Sequence, residues 1–298
     1  MKILVAGATG VIGRRLIPLL VASGYEVIGT MRTADKSEPL QKLGATPMVV
    51  DAFDRARLTS VVREAHPDVI IQQLTDLRAG SSAANARMRT EGTRNLVDAA
   101  RAAGVRQFIA QSISWVSAPG DGPADEKVPL DLEAPEPRRT TVEGVDALER
   151  AVAEMERGIV LRYGTLYGLG TWYAPDGSIA QQVRQGRLTA DEGITSFLHV
   201  EDAARAALLA LDWPPGIVNI VDDEPAPGTV WLPVYAATLG APAPPVAAGQ
   251  PRAARGATNR KARQLLNWQP VYPSWREGFL QVVWEWRSQA KAKGERHP

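Results

Sequence analysis

The sequence predicts an α/β fold: a doubly wound parallel sheet with a smaller lobe formed by the C-terminal part of the chain. Three observations predict it. Short apolar runs alternate with amphipathic segments through the first hundred residues. A glycine-rich turn joins the first run to the first amphipathic segment. Beyond about residue 116 this rhythm breaks, first into Pro, Gly and acidic residues and then into a Trp-rich half.

Taken in order, residues 3–6 read as a short buried strand. Residues 11–23 carry helical spacing at Val11, Leu16, Leu19 and Leu20 and stop at Gly24, suited to a left-handed cap. Pro18 inside this helix removes one backbone hydrogen bond. Residues 25–31 and 48–51 read as the second and third strands, 58–65 as a helix and 68–72 as the fourth strand. A single long helix is expected over 86–103, apolar at Leu96, Val97, Ala99 and Ala100 and ended by Gly104. The fifth strand follows at 106–111. Strand and helix in this alternation imply parallel strands, right-handed crossovers and helices on both faces. Residues 117–139 read as a surface loop, 141–156 as a helix and 158–162 as a sixth strand. Six of the eight Trp lie after residue 200, and core packing is their simplest role. The Pro- and Ala-rich run 240–251 reads as a loop.

Composition narrows the chemistry. The chain has 298 residues, 45% hydrophobic and 22% charged, with 34 Lys+Arg against 33 Asp+Glu for a net charge of +1. It has no Cys, which excludes a disulfide framework, a thiolate metal site, an iron–sulfur cluster and a cysteine nucleophile. Three His, at 66, 199 and 297, leave little for a metal site, and none is expected. The balanced charge argues against a nucleic-acid partner. No stretch approaches the ~18 apolar residues of a membrane span, and the apolar start meets Gly7 too soon for an export signal. A cytoplasmic protein that borrows its chemistry from a cofactor is the expectation.

Gly7-Ala8-Thr9-Gly10-Val11-Ile12-Gly13 sits where the first strand becomes the first helix. Gly7 permits the tight turn, Gly10 lets a pyrophosphate approach the backbone, and Gly13 lets helix and strand pack closely. The helix N-terminus offers N–H groups and positive potential to phosphates. This context points to a dinucleotide. After the second strand, NAD binders place a carboxylate on the ribose. Here stand Met31-Arg32-Thr33 with Lys36 close behind, so Arg32 suits a 2′-phosphate and NADP is expected over NAD.

With these residues in place, the chain resembles the extended or atypical short-chain dehydrogenase/reductases of the NAD-dependent epimerase/dehydratase superfamily. The resemblance runs almost end to end. The glycine turn is followed by Val50-Asp51-Ala52, similar to an adenine-contacting element, and by Glu91-Gly92-Thr93-Arg94-Asn95-Leu96, similar to a GT-x-N-L helix. Leu161 to Gly168 resembles an R-P-G…Y-G element with Tyr163 in place of Pro. Phe197 to Asp202 resembles F-x-H-V-x-D, and Lys261 through Pro270 a closing K…L-G-W-x-P. The resemblance implies a Rossmann core over residues 1–165, with residues 166–298 mainly a substrate lobe and part of that chain returning to the core. It implies cofactor contacts from Gly7, Thr9, Gly10, Val11, Ile12, Gly13, Arg32, Asp51, Ala52, Leu74, Thr75, Tyr163 and Gly164. A homodimer is implied in the same way, with a small-molecule substrate as the partner.

One departure bears on mechanism. The family's Tyr-x-x-x-Lys falls on Thr141 and Val145, and Ile113 takes the serine position between Ser112 and Ser114. Thr releases no proton near neutral pH, and Val cannot assist it. The candidate catalytic residues are therefore Ser112, Ser114, Thr141, Tyr163 and Tyr167. Tyr173 clusters with the last two, although packing suits each Tyr better than catalysis. Three explanations stay open: a relocated proton relay, hydride transfer assisted only by water or substrate, or binding without turnover. For His199 a structural hydrogen bond competes with a role in the site, and for Asp202 a helix cap is expected. The expected function is NADP(H)-dependent hydride transfer on a small carbonyl, alcohol or imine. The alternatives are a nucleotide-sugar epimerase or dehydratase and a non-catalytic NADP-binding sensor.

Overall fold

The structure is a computed structural model that describes residues 1–75 and 82–292, so His297 lies outside the described residues. The chain opens with β1 (Lys2–Ala6), α1 (Gly13–Ala22), β2 (Glu26–Met31), α2 (Ser37–Lys42), β3 (Thr46–Val49), α3 (Arg55–Ala65) and β4 (Val69–Gln72). α4 (Ser82–Arg87) runs into a π-helical turn, Met88–Gly92, and then α5 (Thr93–Ala102). β5 (Gln107–Ile113), α6 (Arg138–Ala153) and β6 (Arg157–Tyr163) complete the first half. The second half holds β7 (Thr165–Tyr167), α7 (Ser178–Arg184), β8 (Ile194–Thr195), β9 (Phe197–His199) and α8 (Val200–Leu209). It ends with β10 (Gly216–Ile220), β11 (Ala226–Pro227), α9 (Gly228–Thr238), α10 (Arg260–Leu265) and α11 (Trp275–Ala292).

Among the described residues, seven parallel strands form one Rossmann sheet in the order β10-β6-β5-β4-β1-β2-β3. From β1 the chain winds outward to β3, then crosses back to β4 and builds in the other direction. The order therefore reverses between β1 and β4, where an open α/β sheet forms its ligand crevice. Gly7 and Gln73 follow these two strands, and their backbones meet there: the Gln73 N–H donates to the Ala6 carbonyl at 2.7 Å.

Side-chain alternation divides the sheet into two apolar faces. Ile3 and Val5 pack with Leu16, Ile17 and Leu20 of α1 and Ala203 and Ala207 of α8. Leu4 and Ile70 pack with Val61 and Val62 of α3, Leu96 and Val97 of α5, and Leu148 and Val152 of α6. Each fully buried aliphatic side chain contributes about 1.5–3 kcal/mol. A third cluster holds the smaller lobe together through Tyr167, Phe197, Trp231, Tyr235, Trp275 and Phe279.

Several expectations change. The helix expected over 86–103 is two helices separated by the π turn, because apolar spacing at 96, 97, 99 and 100 reports only its second part. The third strand lies at Thr46–Val49, two residues early, which leaves Asp51 in the turn beyond it. α6 begins at Arg138, inside the expected loop. Trp213, Trp231, Trp268 and Trp275 are buried as expected, but Trp284 on α11 is 63% exposed. Asp202 is not the cap of α8. His199 is, its Nδ1 accepting from the Glu201 N–H at 3.3 Å. The fully buried Asp202 carboxylate accepts the N–H groups of Val271 and Tyr272 at 2.7 and 2.9 Å, tying the C-terminal segment to the core. Among the described residues, no helix is long and apolar enough to cross a membrane, and no cluster of metal-ligating side chains occurs.

Candidate active site

The turn after β1 is built for close approach. Gly7 has φ +88°, and a Cβ there would lie 2.7 Å from the Gln73 carbonyl oxygen. The Gly10 N–H donates to the Gly7 carbonyl at 3.0 Å and closes the turn. A Cβ on Gly13 would collide with the Gly7 and Ala8 carbonyls. Val11 and Ile12 then lead into Gly13, the first residue of α1, where the N–H groups at a helix start have no intrahelical acceptor. Arg15 braces the opposite wall. Its Nε donates to Glu201 at 2.6 Å and its Nη2 to the Leu169 carbonyl at 2.8 Å, holding the 169–170 segment beside Val11.

A cavity of about 260 Å³ opens beside this turn. Gly7, Thr9 and Gly10 form one end of it, Arg32 and Lys36 one rim, Asp51 and Ala52 another, and Leu74 and Thr75 the edge beyond β4. Eight of the expected cofactor residues thus meet at one cavity. Val11, Ile12 and Gly13 adjoin it through the helix start, whereas Tyr163 and Gly164 are enclosed behind it. Thr30, Gln73, Met88 and Leu96 also line it and were not anticipated. Gln73 carried a readable signal, a polar residue directly after an apolar strand. Its Oε1 is buried with no hydrogen-bond partner among the described residues. A cradle that any Cβ would fill, an orphaned amide oxygen and two cations on the rim fit an adenine dinucleotide.

At Thr141 and Val145, α6 offers no titrating acid or base, and its carboxylate Glu149 is taken up by Arg162. Thr141 is nearly buried, and Val145 is fully enclosed by Ile113, Val116 and Val142. Ser112 points its hydroxyl at Glu149, 3.4 Å away, on the buried side of the sheet. Glu149 in turn holds Arg162 by two hydrogen bonds of 2.7 and 2.8 Å. Ser114 is buried, its N–H donating to the Tyr163 carbonyl. Tyr163 lies in the main core, accepting from Gln73 at 3.4 Å and donating to the Ala203 carbonyl at 3.3 Å. Tyr167 packs edge-on against Phe197, His199 and Phe279 in the lobe core. Burial raises the pKa of Tyr163, Tyr167 and Tyr173 above that of an ordinary phenol. The five candidate catalytic residues therefore do not converge on one point. His199 is buried beside Tyr272, with its pKa pushed down to about 3 by desolvation and the Arg15 charge, so it stays neutral.

The sequence profile of the NAD dependent epimerase/dehydratase family matches residues 3–220. A 3-diazoavenalumate denitrifying reductase from Streptomyces sp is 47% identical over 94% of this chain and 99% of its own length. A UDP-glucose 4-epimerase from Rhizobium meliloti is 25% identical over 98% of this chain and 99% of its own. In fold, the chain is similar to UDP-glucose 4-epimerase of Thermotoga maritima solved with UDP-glucose. That pair has a TM-score of 0.76 and 21% identity, over 97% of this chain and 99% of that one. The Thermus thermophilus UDP-glucose 4-epimerase in complex with NAD gives a TM-score of 0.76 at 24% identity, over 96% and 99%. The relative sharing almost half of the residues is a reductase, and the family is one of NAD(P)-dependent enzymes. The chain belongs to the NAD dependent epimerase/dehydratase family.

Proposed function

We propose that this chain is an NADPH-dependent reductase that replaces the dinitrogen of a diazo-bearing carboxylic acid with hydrogen. The observation that carries the reading is the buried Thr141 and Val145 on α6, where the family resemblance places the proton-donating pair and neither side chain can titrate. Reduction of a carbonyl needs a proton on oxygen as hydride reaches carbon. A diazonium carbon that gains hydride loses N2, which takes the bonding electrons needed to leave as a neutral gas, and no proton from the protein enters the balance. The 47% identical relative, named for denitrifying reduction of a diazo compound, supports the same chemistry.

A bound nicotinamide would supply the hydride. The protein would hold it through the glycine turn and the first N–H groups of α1, with Arg32 and Lys36 taking a 2′-phosphate. Both cations line the cavity, and its carboxylate, Asp51, is already engaged by the Phe53 N–H at 2.9 Å. That arrangement favours NADPH over NADH. Trp115 and Trp172, each about half exposed, follow the carboxyl ends of the strands and offer flat apolar surface to a planar substrate. Hydride transfer between two held reactants draws its rate from proximity and orientation, which a site without a titrating acid still provides. Nucleotide-sugar epimerisation, by contrast, needs a proton taken from a sugar hydroxyl and returned, and neither Thr141 nor Val145 on α6 can take it.

The test mixes purified protein with NADPH and a diazotised ortho-aminophenol carboxylic acid. Expected results are loss of reduced-nicotinamide absorbance, one N2 per NADPH, and deuterium from labelled NADPH at the carbon that bore nitrogen. NADPH consumption with carbonyl substrates but none with the diazo acid would overturn the reading.

A further inference from the structure

Arg89 lies in the π-helical turn Met88–Gly92 and is only 6% exposed. Its guanidinium has neither a hydrogen bond nor an ion pair among the described residues, and desolvation alone pushes its pKa down to about 10. The other buried or half-buried arginines differ. Arg162 holds Glu149, Arg94 holds Asp98 and Glu154, and Arg138 shares Asp131 with the more exposed Arg252. A buried charge without a partner is costly, so Arg89 is an expensive residue for the fold to keep. Single π-helical turns within α-helices also concentrate at functional sites.

Its position explains the expense. Met88, the preceding residue, lines the dinucleotide cavity. Ala86, three residues earlier and so on the same helix side as Arg89, touches α6, where a Cβ on Gly144 would lie 3.0 Å from the Ala86 Cα. α4 and α6 both follow parallel strands, so both run away from the carboxyl edge of the sheet. Helical side chains lean back toward the N-terminus of their helix. The long Arg89 side chain therefore leans back toward the carboxyl edge on the side facing α6, toward the level where Ala86 meets Gly144, a position between Thr141 and Val145. Val145 is the uncharged residue where the family resemblance places a lysine.

We propose that Arg89 supplies from the neighbouring helix the fixed positive charge that residue 145 lacks, and that it holds an oxyanion in the cleft. The oxyanion comes either from the bound dinucleotide or from the substrate's carboxylate. The proposal rests on the dinucleotide reading of the cleft, but not on the diazo chemistry. Guanidinium suits the task because its planar fork grips carboxylate or phosphate oxygens in pairs and stays charged under desolvation.

The test compares the wild-type chain with Arg89→Met, which keeps length without charge, and with Arg89→Lys. NADPH affinity is read by fluorescence, and cinnamate affinity by calorimetry with NADPH present. Arg89→Met is expected to weaken one of the two by about tenfold or more, and Arg89→Lys by less. A loss for NADPH assigns the oxyanion to the cofactor, and a loss for cinnamate alone assigns it to the substrate. The Arg89→Met protein, relieved of an unpaired charge, should melt at the wild-type temperature or above it. Both affinities staying within about twofold would overturn the proposal, and so would a lowered melting temperature with unchanged affinities. Wild-type protein that binds NADPH but leaves the diazo acid intact would overturn only the proposed reaction.

Discussion

Arg162 on β6 and Glu149 on α6 form a two-point ion pair of 2.7 and 2.8 Å, with side chains only 4% and 9% exposed. The pair joins the helix that carries Thr141 and Val145 to the sheet. Breaking such a pair leaves one charge buried alone and costs about 3–5 kcal/mol. Glu149→Ala should therefore lower the unfolding free energy measured by urea denaturation by an amount in that range. Glu149→Leu combined with Arg162→Met should recover most of the loss, because it removes both charges together. A double variant as unstable as Glu149→Ala would show that the pair does more than satisfy itself.

Gly7 should tolerate no side chain. Its φ of +88° strains any L-residue, and the added methyl would lie 2.7 Å from the Gln73 carbonyl oxygen, which the sheet holds in place. Gly7→Ala is expected to cost about 1–3 kcal/mol in backbone strain alone. Because the methyl must push β1 from β4 at the crevice, NADPH affinity should fall along with stability. Isothermal titration of a folded Gly7→Ala protein with wild-type affinity would contradict this geometry.

Cofactor preference should follow the rim cations. Arg32 and Lys36 both line the cavity beyond β2, and no ion pair engages either side chain among the described residues. A charge-assisted hydrogen bond contributes about 1.5–3 kcal/mol, so Arg32→Ala should raise the NADPH dissociation constant about tenfold or more. NADH affinity should hardly move, since NADH lacks the 2′-phosphate. Equal losses for both cofactors would point to adenine stacking by Arg32 as its main contribution.

The glycine turn and six strands were legible because their signals are local: apolar runs of the right length and glycines where strand meets helix. β10 was not, because Gly216–Ile220 joins the sheet beside β6 only after an excursion through the lobe, and short strands in such segments carry no periodicity of their own. The π turn escaped notice for a similar reason, since Met88–Gly92 has no composition that separates it from α-helix. Arg89 was invisible because arginine in a helix usually reads as surface, and only tertiary packing shows that it is enclosed. The cap of α8 fell to His199, in keeping with its structural reading, and not to Asp202, because capping depends on where the helix begins, a boundary of one or two residues.

Stability against pH should show two opposing groups. His199 falls from 6.5 to about 3 in the folded protein, chiefly through desolvation, so its contribution is lost as pH drops below 6.5. Asp222 rises from 3.8 to about 8, also chiefly through desolvation, so its contribution is lost as pH climbs from 3.8 toward 8. Between these limits the two slopes cancel. His199→Asn, which keeps a cap acceptor, should therefore unmask a steady fall in melting temperature from mildly acidic to mildly alkaline pH. Asp222→Asn should unmask the reverse, a rise that ends near neutrality. Melting curves across this range check both slopes, and parallel profiles for wild type and either variant would remove that group from the account.

Turnover of a diazo acid should depend little on pH through the neutral range, because no protein group there has to give or take a proton. Thr141 tests this directly, since the family resemblance places the proton donor at that position. A general acid contributes about 10²–10⁴-fold, so losing one would be unmistakable. Thr141→Val keeps the shape and removes the hydroxyl, and it should leave kcat for the diazo acid within about twofold of wild type. A carbonyl substrate accepted by the same site would respond differently, because its oxygen needs a proton as hydride arrives. A bell-shaped kcat profile on the diazo acid, or a hundredfold loss in Thr141→Val, would mean that this cleft delivers a proton after all.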